Sequence, residues 1–127
     1  MQLPFESKAH SVFFYSCLRK AQREDPYHQA LFYTMGISEI TRENVSQWFD
    51  FEKDHIIPNA LDADWQTGGT RRLTRLAFNL WNDFNDGNVT PYDLFDCSYG
   101  KYMLESISLL YPEYCRLPEI QHKNHTR

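Results

Sequence analysis

One segment of the sequence combines the residue types that bind anions. From Trp65 to Arg75 the sequence reads WQTGGTRRLTR, so a Gly-Gly loop runs into Thr70, which can cap a helix. Three arginines then fall within the first two turns of that helix. A helix N-terminus carries partial positive charge and orphan N–H donors, so each cation there opposes the dipole by a few tenths to about 1 kcal/mol. We therefore expect an anion beside this helix start.

Two sources of that anion are open. In the first, carboxylates of the same chain neutralise the arginines, and the candidates are Asp50, Glu52, Asp62 and Asp64. In the second, the loop amides, the Thr70 hydroxyl and the arginines bind a phosphate or carboxylate of a ligand, while Trp65 either stacks on a base or belongs to the core. The segment matches neither glycine-rich phosphate-binding motif of nucleotide enzymes. The candidate ligand-binding residues are Trp65, Thr67, Gly68, Gly69, Thr70, Arg71, Arg72, Arg75 and Asn79.

The sequence predicts no reaction. His10, His28 and His55 fall in different predicted elements, and no general base is assigned to them. Asp54 and His55 are consecutive residues, and their side chains need not point to the same site. His122 has a second histidine three residues later but no further partner with metal-ligand spacing. We therefore expect a protein that is not an enzyme and that holds neither a metal ion nor a cofactor.

The cysteines and the N-terminus bear on the compartment. Cys17, Cys97 and Cys115 are odd in number and far apart, which is typical of reduced thiols rather than of a disulfide framework. The N-terminus lacks the basic start and apolar stretch of a secretory signal, and no run approaches the roughly 20 apolar residues of a membrane span. We expect a cytoplasmic protein that makes no membrane contact.

Charge is distributed unevenly along the chain. The net charge of the 127 residues is −4, which argues against a protein that coats nucleic acid or binds anionic membranes. Residues 65–82 contain three arginines and no acidic residue, whereas residues 83–100 contain four aspartates and no basic residue. The acidic total is therefore compatible with a small anionic ligand at the basic segment.

Apolar spacing predicts the helices that must position this segment. One helical face carries Leu73, Leu76, Ala77, Leu80, Trp81 and Phe84, and it predicts the central core helix. Gly36 is expected to end an earlier helix in a left-handed conformation, and Thr41 to cap the next helix. Other helices are predicted at 7–23, from about 27 to 36, after 41 and at 98–111, with a helix start at 90–93 and a short turn at 58–61.

These elements together predict an all-α fold. We expect a single compact domain of about five to six helices, with an irregular glycine-containing connector at residues 51–69 before the central helix. The domain is expected to span residues 1–117, and residues 118–127 to form a frayed C-terminal tail. Aromatic residues make up 16% of the chain, which is compatible with a homodimer because soluble oligomers are most often twofold.

Several stretches of the sequence resemble one bacterial family. They are residues 27–33 with Gly36 and Ile37, Thr41 with Arg42, residues 65–67 with Gly69 and Thr70, residues 75–80, and residues 111–115. On these residues the chain resembles domain-of-unknown-function family 6075, found in Firmicutes and in their phages and mobile elements. Residues 96–99 depart from the family, whose members tend to show cysteine and glycine there. The resemblance implies a compact cytosolic domain in a mobile-element setting and carries over no catalytic residue.

Two functions follow as hypotheses. In the first, the protein binds and sequesters a small phosphorylated or nucleotide-like signal of host immunity at the segment from Trp65 to Arg75, which would be a counter-defence activity. In the second, it inhibits or adapts a host defence protein, such as a CRISPR nuclease, through an acidic face. That face would consist of Asp50, Glu52, Asp54, Asp62, Asp64, Asp83 and Asp86.

Overall fold

Helices form most of the chain. The computed structural model describes residues 3–114, so the predicted tail at 118–127 lies outside the described residues. The α-helices of this part are α1 Lys8–Ala21, α2 Pro26–Met35, α3 Glu39–Glu43, α4 Val45–Trp48, α5 Gly68–Asn82, α6 Pro91–Phe95 and α7 Gly100–Leu110. Short 3₁₀ helices, η1 and η2, lie at Pro58–Asp62 and Pro112–Tyr114. The prediction of a mainly helical protein is confirmed.

A two-stranded ribbon interrupts the helices and was not expected from an all-α prediction. Its strands, β1 Phe49–Asp50 and β2 His55–Ile56, are antiparallel, with Phe49 opposite Ile56. The helix predicted after residue 41 is also divided at Asn44 into α3 and α4, and the described chain therefore has seven α-helices instead of five or six. Asn44 stops α3 because its side-chain amide donates to the Ile40 carbonyl, 2.8 Å away.

The core is built around α2. This helix packs against α1, α5 and α7, so nearly its whole circumference is covered. Its fully buried apolar side chains are Ala30, Leu31, Phe32, Tyr33 and Met35. Helix α5, predicted to be the central helix, covers one side of α2 and buries Leu73, Leu76, Ala77, Phe78 and Leu80. No described helix is both long and apolar enough to cross a bilayer.

Two predicted helix ends differ from the structure. Gly36 follows α2, but its φ of −82° is not left-handed. Glycine is required there for space, since a Cβ atom would lie 2.8 Å from the His10 ring and 2.9 Å from the Phe32 carbonyl. Thr41 does not cap a helix: Ser38 caps α3, and the buried Thr41 hydroxyl donates to the Met35 and Ser38 carbonyls.

Candidate functional site

The N-cap of α5 lies three residues before the predicted cap, Thr70. Thr67 is the N-cap, and its hydroxyl accepts the N–H of Thr70 at 3.1 Å. Thr70 returns the contact, since its hydroxyl accepts the Thr67 N–H at 2.7 Å and donates to the Gln66 amide oxygen. The expectation that Thr70 caps the helix and offers its hydroxyl to an anion is therefore wrong: Thr70 is fully buried in a reciprocal capping box.

The three arginines of α5 have different partners. The Arg71 Nε donates to the Leu61 carbonyl at 3.1 Å, and the Arg72 Nε donates to the Asp93 carbonyl at 2.9 Å. Arg75 forms an ion pair with the Asp86 carboxylate at 2.8 Å. Burial opposes ionisation of Asp86, but the hydrogen bonds from Arg75 and from the Asn88 N–H, together with the charge of Arg75, outweigh it, so the pKa of Asp86 is lowered.

The expected neutralisation by Asp50, Glu52, Asp62 or Asp64 is not what the structure contains. The partner of Arg75 is Asp86, which lies on the loop after α5. Neither Arg71 nor Arg72 forms an ion pair with any carboxylate in residues 3–114. The connector before α5 contacts the helix, but it offers Arg71 the Leu61 carbonyl instead of a carboxylate, and the turn at residues 85–88 brings Asp86 to Arg75.

These side chains line one open cleft between α5 and α6. Its volume is about 310 Å³, and its lining residues are Gly68, Arg71, Arg72, Arg75, Asn88, Tyr92, Asp93 and Asp96. Tyr92 is 87% exposed and was not singled out from the sequence. The Asp93 carboxylate is engaged in the capping box of α6 with Thr90, whereas the exposed Asp96 carboxylate has no hydrogen-bond partner among the described side chains.

Five of the nine predicted site residues lie outside this cleft. Trp65 is half-buried against the core and its Nε1 donates to Gln47 at 2.8 Å. Gly69 faces Tyr99, since a Cβ atom there would lie 3.0 Å from that ring. The Asn79 amide donates to the Phe84 carbonyl at 3.0 Å, beyond the C-terminal turn of α5. Thr67 and Thr70 are committed to the cap, so the cleft keeps Gly68 and the three arginines.

The seven residues of the predicted acidic face differ in their contacts within the chain. Three of the seven candidates make contacts within the chain: Asp50 accepts the N–H groups of residues 52 and 53, Asp54 contacts His28, and Asp86 pairs with Arg75. The hydrogen bonds to Asp50 lower its pKa. The exposed candidates that remain are Glu52, Asp62, Asp64 and Asp83.

A buried histidine between two carboxylates is the main constellation that the sequence did not predict. His28 Nδ1 lies 2.7 Å from Asp25, and Nε2 lies 2.7 Å from Asp54, which approaches from the ribbon with a φ of +58°. Burial raises the pKa of Asp25, but the hydrogen bonds from His28 outweigh it and the net shift is downward. The neighbouring His55 takes no part in this cluster. The sequence signal for this cluster was Asp25 at a helix N-cap position with His28 three residues later.

This cluster clamps the start of α2 to the turn of the ribbon through the contact between His28 and Asp54. Both ring nitrogens of His28 are engaged, so no nitrogen is left to take a proton from a substrate. His10 is fully buried and also uses both nitrogens, one as acceptor from the Glu6 N–H and one as donor to the Tyr33 carbonyl. Burial raises the pKa of the Cys17 thiol to about 12, which disfavours a reactive thiolate.

Comparison with known proteins gives one match. A family model described as "Family of unknown function (DUF6075)" matches residues 1–123. No curated protein and no solved structure matches the chain.

Proposed function

The chain belongs to the family of unknown function DUF6075, and we propose that it binds a small phosphorylated ligand, without transforming it, in the cleft between α5 and α6. One observation carries the proposal. Arg71 and Arg72 line the cleft, and their hydrogen bonds within residues 3–114 go only to main-chain carbonyls. Neither guanidinium forms an ion pair within those residues, although Asp93 and Asp96 line the same cleft, and a phosphate group would pair with both arginines.

The arginines are held in place before any ligand arrives. Arg72 is fixed by the Asp93 carbonyl on α6 and by the Gly68 carbonyl at 3.3 Å, while Arg71 is fixed by the Leu61 carbonyl. A guanidinium has five N–H donors, so each side chain keeps donors that no described residue accepts. Because these side chains are already ordered, binding loses less conformational entropy than it would with free arginines.

The remaining lining residues favour a nucleotide over inorganic phosphate. Tyr92 exposes nearly its whole ring at the cleft, and an aromatic face that stacks on a base contributes about 1–3 kcal/mol per base. The cleft volume of about 310 Å³ is at the lower end of small-molecule sites, which suits one nucleotide better than two. In a mobile-element setting, such binding would sequester a phosphorylated signal of host immunity.

A non-catalytic role is favoured by the chemistry of the lining. Histidine, cysteine, serine and lysine are all missing from the side chains that line the cleft in the described chain. The two carboxylates that do line it are Asp93, which caps α6, and Asp96, which has no adjacent base or nucleophile. The arrangement can therefore hold and neutralise an anion, and it offers no nucleophile and base pair for chemistry.

The test is a thermal-shift screen of the full chain against nucleoside monophosphates, cyclic mononucleotides and cyclic dinucleotides. A ligand at 100 times its Kd adds about 2.7 kcal/mol to the free energy of unfolding, which raises the melting temperature by several degrees. Calorimetric titration of the best ligand with the Arg71→Gln/Arg72→Gln variant should then give at least tenfold weaker binding, since a hydrogen bond to a charged group contributes about 1.5–3 kcal/mol.

Arg19→Gln/Arg23→Gln is the matched control for that variant. Arg19 and Arg23 are exposed arginines in the last turn of α1 and just after it, so the two substitutions make the same charge change away from the cleft. Affinity should be unchanged in the control. Equal affinity in the double variant and wild type would refute the site, and the absence of a shift with every ligand would refute the function.

A further inference from the structure

A second cavity lies at the opposite end of α5. Its volume is about 510 Å³, and it is open to solvent between the last turn of α5, the end of α7 and the start of α2. Its lining residues are Tyr27, Asn79, Leu80, Trp81, Asn82, Asp83, Leu110 and Tyr111. None of them is basic and one is an aspartate, whereas three arginines line the cleft between α5 and α6.

Two helix C-termini meet at this cavity. Helix α5 ends at Asn82 and helix α7 ends at Leu110, and both residues line it. Each C-terminus carries a partial negative charge from carbonyl groups that lack intrahelical partners. The carbonyls of Trp81, Asn82 and Leu110 accept no hydrogen bond from the residues that the structure describes. The cavity is therefore an acceptor-rich site that favours a cation.

Asp83 adds a full negative charge at the same place. It is exposed, it follows α5 with a φ of 67°, and it has no ion-pair partner within residues 3–114. It belongs to the predicted acidic face and lines this cavity together with aromatic side chains.

Aromatic rings complete the site. Tyr27 is 53% exposed and Tyr111 is 47% exposed, although both are large enough to be buried in a core. Trp81 packs against the clamped His28, with the two rings nearly perpendicular and their centroids 4.7 Å apart. Aromatic faces attract organic cations through the negative potential of their π electrons.

We propose that this cavity binds an alkylammonium group, with the nitrogen near Asp83 and the carbonyl ends of α5 and α7 and the alkyl chain against the aromatic rings. The combination selects an N–H-bearing organic cation, because carbonyl and carboxylate oxygens accept hydrogen bonds while the rings stabilise both the charge and the methylenes. The proposal is independent of anion binding at the arginine cleft. The same group is available from a free amine or from a lysine side chain.

The experiment is calorimetric titration of the full chain with 1,4-diaminobutane and with 1,4-butanediol, its neutral isostere. The diamine should bind and the diol should not. Asp83→Asn should weaken binding of the diamine about fivefold, and asparagine also tolerates the left-handed backbone of this position. Asp62→Asn makes the same charge change at an exposed site outside the cavity and should leave the affinity unchanged.

The exposed rings give a second, independent variant. Tyr27→Leu and Tyr111→Leu keep apolar bulk and remove the π face, so each should weaken binding about two- to fivefold. Equal binding of diol and diamine, an unaltered affinity in Asp83→Asn, or no binding of the diamine at millimolar concentration would each overturn the proposal. Nα-acetyl-lysine methylamide identifies the source: tighter binding than the diamine assigns the cavity to a partner's lysine, and weaker binding assigns it to a free amine.

Discussion

Substitution of Gly36 by alanine tests how the core is packed where α1 crosses the end of α2. The backbone of Gly36, at φ −82°, accepts any residue, so an alanine there carries no dihedral strain. Its Cβ atom would instead lie 2.8 Å from His10 Cδ2, 2.9 Å from Phe13 Cδ2 and 2.9 Å from the Phe32 carbonyl oxygen. Carbon atoms prefer a separation of about 3.5–4.0 Å, so every one of these contacts is too short.

The neighbours of that Cβ atom have little freedom to move. The Phe32 carbonyl is main chain, and the His10 ring is held by hydrogen bonds at both nitrogens, 3.0 and 2.8 Å long. Overpacking of a tight core costs about 1–3 kcal/mol, and we expect the upper end here because two of the three contacts cannot relax. In urea, a loss of about 3 kcal/mol lowers the unfolding midpoint by roughly 1–3 M at an unchanged m-value.

Gly68→Ala is the matched control for this substitution. Gly68 is the first residue of α5, and the nearest heavy atom to a Cβ atom added there is Arg72 Nη1 at 3.6 Å, an ordinary contact. The free energy of unfolding of this variant should be unchanged or raised by up to about 1 kcal/mol, because alanine is the better helix former. Phe13→Ala in the Gly36→Ala background should recover about 0.5–1 kcal/mol relative to additivity. A Gly36→Ala protein as stable as Gly68→Ala would refute the packing argument.

Two further predictions concern the histidines. Burial lowers the pKa of His10, so below about pH 6.5 the unfolded chain binds a proton that the folded state does not bind. The free energy of unfolding should therefore fall with pH, by up to about 1.4 kcal/mol per pH unit, until the pKa of His10 in the folded state is reached. Urea midpoints between pH 5 and 7 measure this fall. Asp54→Asn weakens the contact with His28 and should lower the free energy of unfolding by about 1–2 kcal/mol in the same assay. The loss should be smaller than for a fully buried pair because the Asp54 side chain is 34% exposed. Asp64→Asn, at an exposed position, is the control and should leave the free energy of unfolding unchanged.

Local signals account for what the sequence could predict. The apolar spacing from Leu73 to Leu80 places those residues on the buried face of α5, because a helical period depends on neighbours within one element. Likewise, Thr90 and Pro91 mark the start of α6, since a cap and a proline at the first position act locally. Local signals likewise placed the three arginines at a helix start, and this shared position brings them to one cleft.

What the sequence could not supply are contacts between distant segments. A ribbon of two residues per strand has no period to detect, and it brings Asp54 to His28 across 26 residues of chain. The carbonyl of Asp93 that holds Arg72 is 21 residues away, so the composition of the cleft depended on how α6 packs against α5. For Trp65 the sequence left core packing and stacking on a base open, because a ring beside a glycine loop suits both, and the structure packs the ring against the core.

The position of the arginines at the start of α5 follows from the contacts they make. Cations at this end of a helix oppose its dipole. Arg72, however, donates to the Gly68 carbonyl in the first turn of α5 and to the Asp93 carbonyl on α6, so main-chain oxygens partly balance its positive charge. The acidic residues after α5 are divided in the same way: Asp86 turns back to pair with Arg75, while Asp83 stays at the carbonyl end of the helix. The start of α5 therefore carries three arginines and its end is followed by Asp83, a segregation of charge that the net charge of the chain does not reveal.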